Sequence, residues 1–271
     1  MGRASLCLLA LAGCAGAEAM TLPSQTSVVS GGVATKNELG LNPGESMAYE
    51  VRLGGMLAGE AELAVGELGE VDGHRAVVVK SRAATAGAAA LIKKISDEAT
   101  TVIDADSGRP LQLDTLVVMG DKETTARAKF TGSIAEVTYA RNDEPTPHTY
   151  KINFGKVTVH DTHSAMAQLR GWKATPGTVK TVFVVGGRRL WRVDVRYIGA
   201  EMMGSALGNR RAIRYEGASY RARPNFSLES DKPARTFKVW LSDDADRVPL
   251  KMTASTELGD VSMDLTEYTR P

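Results

Sequence analysis

The chain has 271 residues, 43% hydrophobic and 24% charged, with 33 Lys and Arg against 32 Asp and Glu. That is the make-up of a folded globular protein of one domain or two small ones. A net charge of +1 argues against a nucleic-acid partner, which needs surplus Lys and Arg to displace phosphate counterions. Aromatics are only 6% while 27 residues are Gly, a balance that favours many short strands over a helical bundle.

Arg3 is followed by an apolar run, Ala4 to Ala12, of signal-peptide length and too short to span a bilayer. The run ends Leu11-Ala12-Gly13-Cys14, which resembles the bacterial lipobox. Residues 1–13 are then a signal peptide, and Cys14 is the lipidated mature N-terminus, open to acyl chains such as palmitate. The alternative is cleavage after Ala17-Glu18-Ala19, which also has the A-x-A form and leaves a soluble periplasmic protein. Each buried acyl CH₂ contributes ~0.8 kcal/mol, so two or three chains anchor stably where one does not. Cys7 and Cys14 are the only cysteines; one leaves with the leader and the other is acylated, so no disulfide is expected. Cleavage removes Arg3 and no acid, leaving the mature chain formally neutral. Residues 14–40, rich in small polar residues such as Ser24, Ser27, Gly31 and Gly32, read as the lipidated Cys and a flexible tether with an end-to-end distance of roughly 28 Å.

Residues 41–271 read as one β domain. Met47, Tyr49, Val51 and Leu53 alternate with Ala48, Glu50 and Arg52, and Ala61, Leu63 and Val65 repeat the period, as in strands with one buried face. The Gly-rich stretch Gly54 to Gly59 makes the pair a hairpin. The same alternation recurs at Trp191/Val193/Val195/Tyr197, Phe237/Val239/Leu241 and Val261/Met263/Leu265, while Ala76–Val79 and Leu116–Met119 are continuous apolar runs. About a dozen strands fit. Two stretches read as helix: Ala88 to Ile95, with Leu91 and Ile92 expected to point inward, and Asp161 to Trp172, with Asp161 as cap. The expected class is therefore all-β with one or two short helices. A large antiparallel sheet curls into a half-barrel or open barrel, its concave side filled by the helices. The segments Val102-Ile103-Asp104…Pro110 and Trp240-Leu241-Ser242-Asp243…Pro249 repeat a strand, an Asp-opened turn and a Pro-started strand. Such units arise either from two related halves or by convergence.

The chain resembles the exported bacterial family known as domain of unknown function 3108. The matching pieces are Pro43-Gly44-Glu45 with Tyr49 and Gly55 to Gly59; Ile95-Ser96-Asp97, Asp104 and Pro110-Leu111; and Asp161 with Ser164 and Arg170. They continue with Glu201 and Gly204 to Gly208; Val239 to Asp243 with Val248-Pro249; and Leu258-Gly259-Asp260-Val261 to Tyr268. The resemblance implies a periplasmic or envelope-facing β protein and transfers no catalytic residue. His163 stands where that pattern leads one to expect an apolar residue.

Three groups of residues are candidates for chemistry. His160-Asp161-Thr162-His163 has metal-ligand residue types and suits either a zinc site or a helix start with both imidazoles in solvent. The segment from Arg188 to Arg223 holds nine arginines against Asp194, Glu201 and Glu216. Arg192, Arg196, Arg210 and Arg214 are candidate contacts to anionic headgroups or ligand, unless neighbouring acids such as Glu229, Asp243 and Asp244 pair with them. Gly204-Ser205-Ala206-Leu207-Gly208 lacks the spacing of a nucleophile elbow, and Gly186-Gly187 precedes no helix. No cofactor and no catalytic residue is therefore expected. The reading is a non-catalytic cell-envelope lipoprotein, a binder of an apolar lipid-like ligand or an envelope protein and not an enzyme, anchored in the outer membrane facing the periplasm. The alternative is a metal-assisted hydrolase of an envelope polymer using His160, Asp161 and His163.

Overall fold

In the computed structural model of the protein, residues 39–229, 231, 233–256 and 259–271 are described. The signal segment, Cys14 and the tether up to residue 38 lie outside them. The described part of the expected tether belongs to the folded body. Leu39 packs against a cluster of Leu41, Val65, Val77, Val79, Ile103 and Ala167, and Gly40 is buried.

The first half of the chain forms β1 (Ser46–Leu53), β2 (Met56–Val65), β3 (Gly69–Val71), β4 (His74–Thr85), the short helix α1 (Gly87–Ile92), β5 (Ile95–Asp104), β6 (Pro110–Met119), β7 (Lys122–Thr131), β8 (Ile134–Arg141) and β9 (His148–Asn153). The second half forms β10 (Val159–Asp161), the helix α2 (Thr162–Gly171), β11 (Val179–Gly186), β12 (Arg189–Ser205), β13 (Gly208–Ala222), β14 (Arg235–Ser242), β15 (Pro249–Thr256) and β16 (Gly259–Thr269). All belong to one sheet, ordered β10 through β16, then β1, β2, β4 and on to β9, with β3 attached only to β4. The first and last strands thus meet in the middle of the sheet, Ser46 opposite Thr269 and Leu53 opposite Val261. The all-β expectation holds, as a single curled, open sheet with two helices.

The β1–β2 hairpin is tighter than the Gly-rich stretch suggests. Leu53 pairs with Met56, and Gly54 and Gly55 both take positive φ, 57° and 85°, as a two-residue turn matched to strand twist requires. Met56 and Leu57 consequently lie on the strand and are exposed.

Hydrogen bonding does not close the barrel; side chains do. The end strands β9 and β10 do not pair. Even so, Val137 and Ile152 at one end share a buried cluster with Val159, Val185, Leu190 and Ala222 at the other. The Arg188 guanidinium lies 5.6 Å from the Tyr139 ring centre across this seam, within cation–π range. The only parallel pair among the described residues is β10–β11, and α2 is the crossover a parallel pair needs. It lies against β5, β10 and β11 and brings Met166 and Ala167 into the interior.

The two Asp–Pro turns resemble each other closely in backbone. In each, a bulge precedes the residue that pairs with the proline, Ile103 with Pro110 and Leu241 with Pro249. The capping carboxylate differs by one position. Asp104 accepts from the amides of Asp106 and Ser107. In the second turn, one residue longer, Asp244 accepts from the amides of Asp246 and Arg247, while Asp243 pairs with Arg211 and Arg247.

Gly40 seals the joint between the entering chain and α2. Its φ is 66°, and a Cβ there would sit 1.9 Å from the Ala167 carbonyl oxygen. Gly40→Ala is expected to lower stability by at least about 2 kcal/mol, because clash and left-handed backbone act together. Urea denaturation measures this directly, and a loss below about 0.5 kcal/mol would contradict such tight packing.

Candidate functional site

The three residues proposed for metal ligation sit at the start of α2, inside the sheet. Asp161 caps the helix: its carboxylate accepts from the amides of His163 and Ser164 at 2.9 and 3.0 Å. The Ser164 hydroxyl accepts from the Asp161 amide at 3.1 Å, completing a capping box. The imidazoles are not in solvent, as a simple helix start predicts. His160 is 5% and His163 3% exposed.

Hydrogen bonding dictates the protonation of His163. The Thr101 hydroxyl donates to the Asp161 carboxylate at 2.6 Å, so its contact with His163 Nδ1 at 2.7 Å must receive a proton from the ring. Nε2 is then the acceptor, and the Ser81 hydroxyl donates to it at 2.9 Å. One neutral tautomer satisfies every partner. Burial pulls the His163 pKa below its ordinary value, with Asp161 pulling the other way. Burial likewise pulls His160 down to about 4, opposed by Asp161; its Nδ1 meets the Ser164 hydroxyl at 3.2 Å. Both rings are neutral at pH 7.

This arrangement removes the zinc reading. His160 turns to Ser164, His163 spans Thr101 and Ser81, and Asp161 is consumed by the cap. No group of three His, Cys, Asp or Glu side chains among the described residues could hold a metal. The position where an apolar residue was expected is a buried one, and His163 occupies it by bonding to strands β4 and β5.

At the other end of α2, Arg170 is 4% exposed and forms a two-pronged pair with Glu45, at 2.5 and 2.9 Å. It also donates to the Asp246 carbonyl at 2.8 Å. Asn42 donates twice to the same Glu45 carboxylate, and the Tyr268 hydroxyl approaches it at 3.4 Å. Asp246 pairs with Arg270. Of these, Asn42, Arg170 and Asp246 line a depression of about 220 Å³ near the point where the chain enters, together with Trp172, Lys173, Asp244 and Arg247. Residues that carry the family resemblance, Glu45, Asp161, Ser164 and Arg170, thus meet along one helix. Sequence reading missed Ser81 and Thr101. The available signal was a polar residue on an inward-facing phase, Ser81 following Val77 and Val79, and Thr101 between Ala99 and Ile103.

The candidate basic stripe is largely neutralised. Arg192 bonds Asp194 at 3.0 Å, Arg210 meets Asp244 at 3.3 Å, and Arg214 lies 3.2 Å from Glu201 and 3.6 Å from Glu216. Arg196 is exposed and stands opposite Glu216 in the β12–β13 ladder. The four do not converge on a site. Arg221 and Arg235 lie over the Trp191 ring, 5.7 and 5.3 Å from its centre.

The expectation for α1 is also reversed. Leu91 and Ile92 do not point inward; they are 90% and 88% exposed, beside Met56 at 74% and Leu57 at 46%. The helix has only six residues, no side-chain cap and no buried residue, and it packs mainly on β2.

The model of the family DUF3108, a protein family of unknown function, matches residues 48–266. The chain belongs to the DUF3108 family. No curated protein matches it. Among solved structures it is similar to a β-barrel-like protein of domain of unknown function DUF1849 from Brucella abortus, with a TM-score of 0.56 at 12% identity, covering 84% of this chain and 98% of that one. It is also similar to the hypothetical lipoprotein YmcC from Escherichia coli, with a TM-score of 0.29 at 11% identity, covering 90% and 93% of the two chains. At 12% identity the likeness to the DUF1849 protein shows the fold alone, so this DUF3108 protein has a barrel-like architecture and takes no activity from it.

Proposed function

We propose that this DUF3108 protein is a non-catalytic lipoprotein of the cell envelope, anchored through Cys14 in the outer membrane facing the periplasm, whose β domain docks an envelope partner. The observation that carries the docking reading is how the concave side is used. Tyr49, Leu113, Ile152, Val185, Leu241 and Leu250 are all at most 4% exposed, and His163 at the start of α2 is bonded to strands β4 and β5 through Ser81 and Thr101. Small-molecule pockets typically enclose about 300–1,000 Å³, more than the 220 Å³ of the depression at the mouth. The lipobox-like Leu11-Ala12-Gly13-Cys14 supports the anchor, since two or three acyl chains hold a soluble domain at a membrane.

Two measurements test the reading. Cells fed radiolabelled palmitate are expected to label the protein, with labelling lost in Cys14→Ser. Native mass spectrometry after gentle extraction is expected to show the chain without a stoichiometric lipid in its interior. Unchanged labelling in Cys14→Ser would remove the anchor, and a retained apolar ligand that survives delipidation of the N-terminus would restore the carrier.

A further inference from the structure

We infer that the tip formed by α1 and the β1–β2 hairpin binds the surface of an anionic lipid bilayer; this rests on the docking reading and names its partner. Leu91 and Ile92 end a six-residue helix at 90% and 88% exposure, next to Met56 at 74% and Leu57 at 46%. Large aliphatic side chains in water on consecutive residues are costly unless something covers them.

The shape and charge of the tip favour lipid over protein. A stable protein interface takes roughly 1,000 Å² or more with a complementary rim, whereas here a few side chains stand on a narrow helical wedge. Wedges of this kind enter the boundary between headgroups and acyl chains, to a depth of about 5–10 Å. Lys93 and Lys94 follow directly, both exposed, and neither makes an ion pair among the described residues. Helix α1 contains no acid. Nearby carboxylates are mostly engaged: Glu50 with Arg52, Glu98 with Arg82, and Asp260 with the Ser255 hydroxyl. Glu60 and Asp121 stay exposed. Two lysines immediately behind an apolar wedge match anionic headgroups.

The tip lies at the far end of β1 from Glu45. Eight residues of strand separate the chain's entry from the wedge, a span of roughly 25 Å. The domain therefore presents its wedge away from the end where its tether enters.

The test uses the full chain carrying Cys14→Ser, so that acylation does not drive binding, with vesicles of phosphatidylcholine containing about 30% phosphatidylglycerol. Co-sedimentation is expected, weaker on pure phosphatidylcholine and reduced by about 0.5 M salt. The pair Leu91→Ser and Ile92→Ser is expected to weaken binding at least about ten-fold, and the pair Lys93→Glu and Lys94→Glu by a similar factor. Unchanged thermal unfolding is expected in both, because these side chains touch no core. No binding by the parent chain, or equal binding by the Leu91/Ile92 variant, would overturn the proposal. A photo-crosslinker at Ile92 separates the two failures. Capture of one envelope protein without vesicle binding overturns the lipid proposal and leaves docking standing, whereas neither outcome removes both.

Discussion

Arg170→Met is expected to destabilise the domain by about 3–5 kcal/mol, the cost of leaving one partner of a buried ion pair alone. Glu45 has no exposed surface, and without the guanidinium its carboxylate keeps only the Asn42 donors and the long Tyr268 contact. The loss spreads beyond the pair. Arg170 also holds the Asp246 carbonyl, so one side chain on α2 joins the start of β1 to the β14–β15 turn. A domain of ordinary stability has about 5–15 kcal/mol in total, so this variant approaches unfolding at physiological temperature. Urea denaturation gives the number. The companion Arg170→Met with Glu45→Met is expected to recover part of the loss, since removing both charges also removes the uncompensated burial. A single-variant cost under about 1 kcal/mol would mean that the pair behaves like a surface ion pair and does not hold the helix.

Much of this architecture is legible residue by residue. The alternation of Met47, Tyr49 and Val51 survives as the buried face of β1, and that of Trp191, Val193 and Val195 as the buried face of β12. Both are local properties of a strand with one wet side. The cap at Asp161 is legible for the same reason, because its partners are two and three residues away. What the local pattern hides is long-range pairing. His163 meets Thr101 and Ser81 from 62 and 82 residues away, and Arg170 meets Glu45 across 125. No periodicity reports such distances, so two buried imidazoles look like solvent-facing ones. Helix α1 fails in the opposite direction. Its apolar composition suggests burial, but six residues resting mainly on β2, none of them buried, leave Leu91 and Ile92 in solvent. The basic stretch from Arg188 to Arg223 looks like a binding patch until its ion pairs with Asp194, Glu201 and Glu216, and with Asp243 and Asp244 from the β14–β15 turn, are counted against it.

Acid is expected to unfold this domain from the helix outward, in a window set by its two buried histidines. In the unfolded chain both titrate near 6.5. In the folded domain burial holds His160 near 4 and His163 below its ordinary value. Below pH 6.5 the unfolded state therefore binds more protons, and stability falls as pH drops. The stabilisation is complete above about 6.5 and is lost progressively towards 4, His160 alone accounting for on the order of 3 kcal/mol. Protonating His163 also forces Nε2 to become a donor, so the Ser81 hydroxyl must turn away and accept, which breaks the one tautomer that satisfies the network. The urea midpoint is expected to drop steeply between pH 6.5 and 4.5. His160→Gln with His163→Gln is expected to be less stable at pH 7 but to show a much flatter slope across that window, because neither amide takes up a proton. An equally steep fall in the double variant would mean that the imidazoles do not set the acid response and are not kept neutral by the fold.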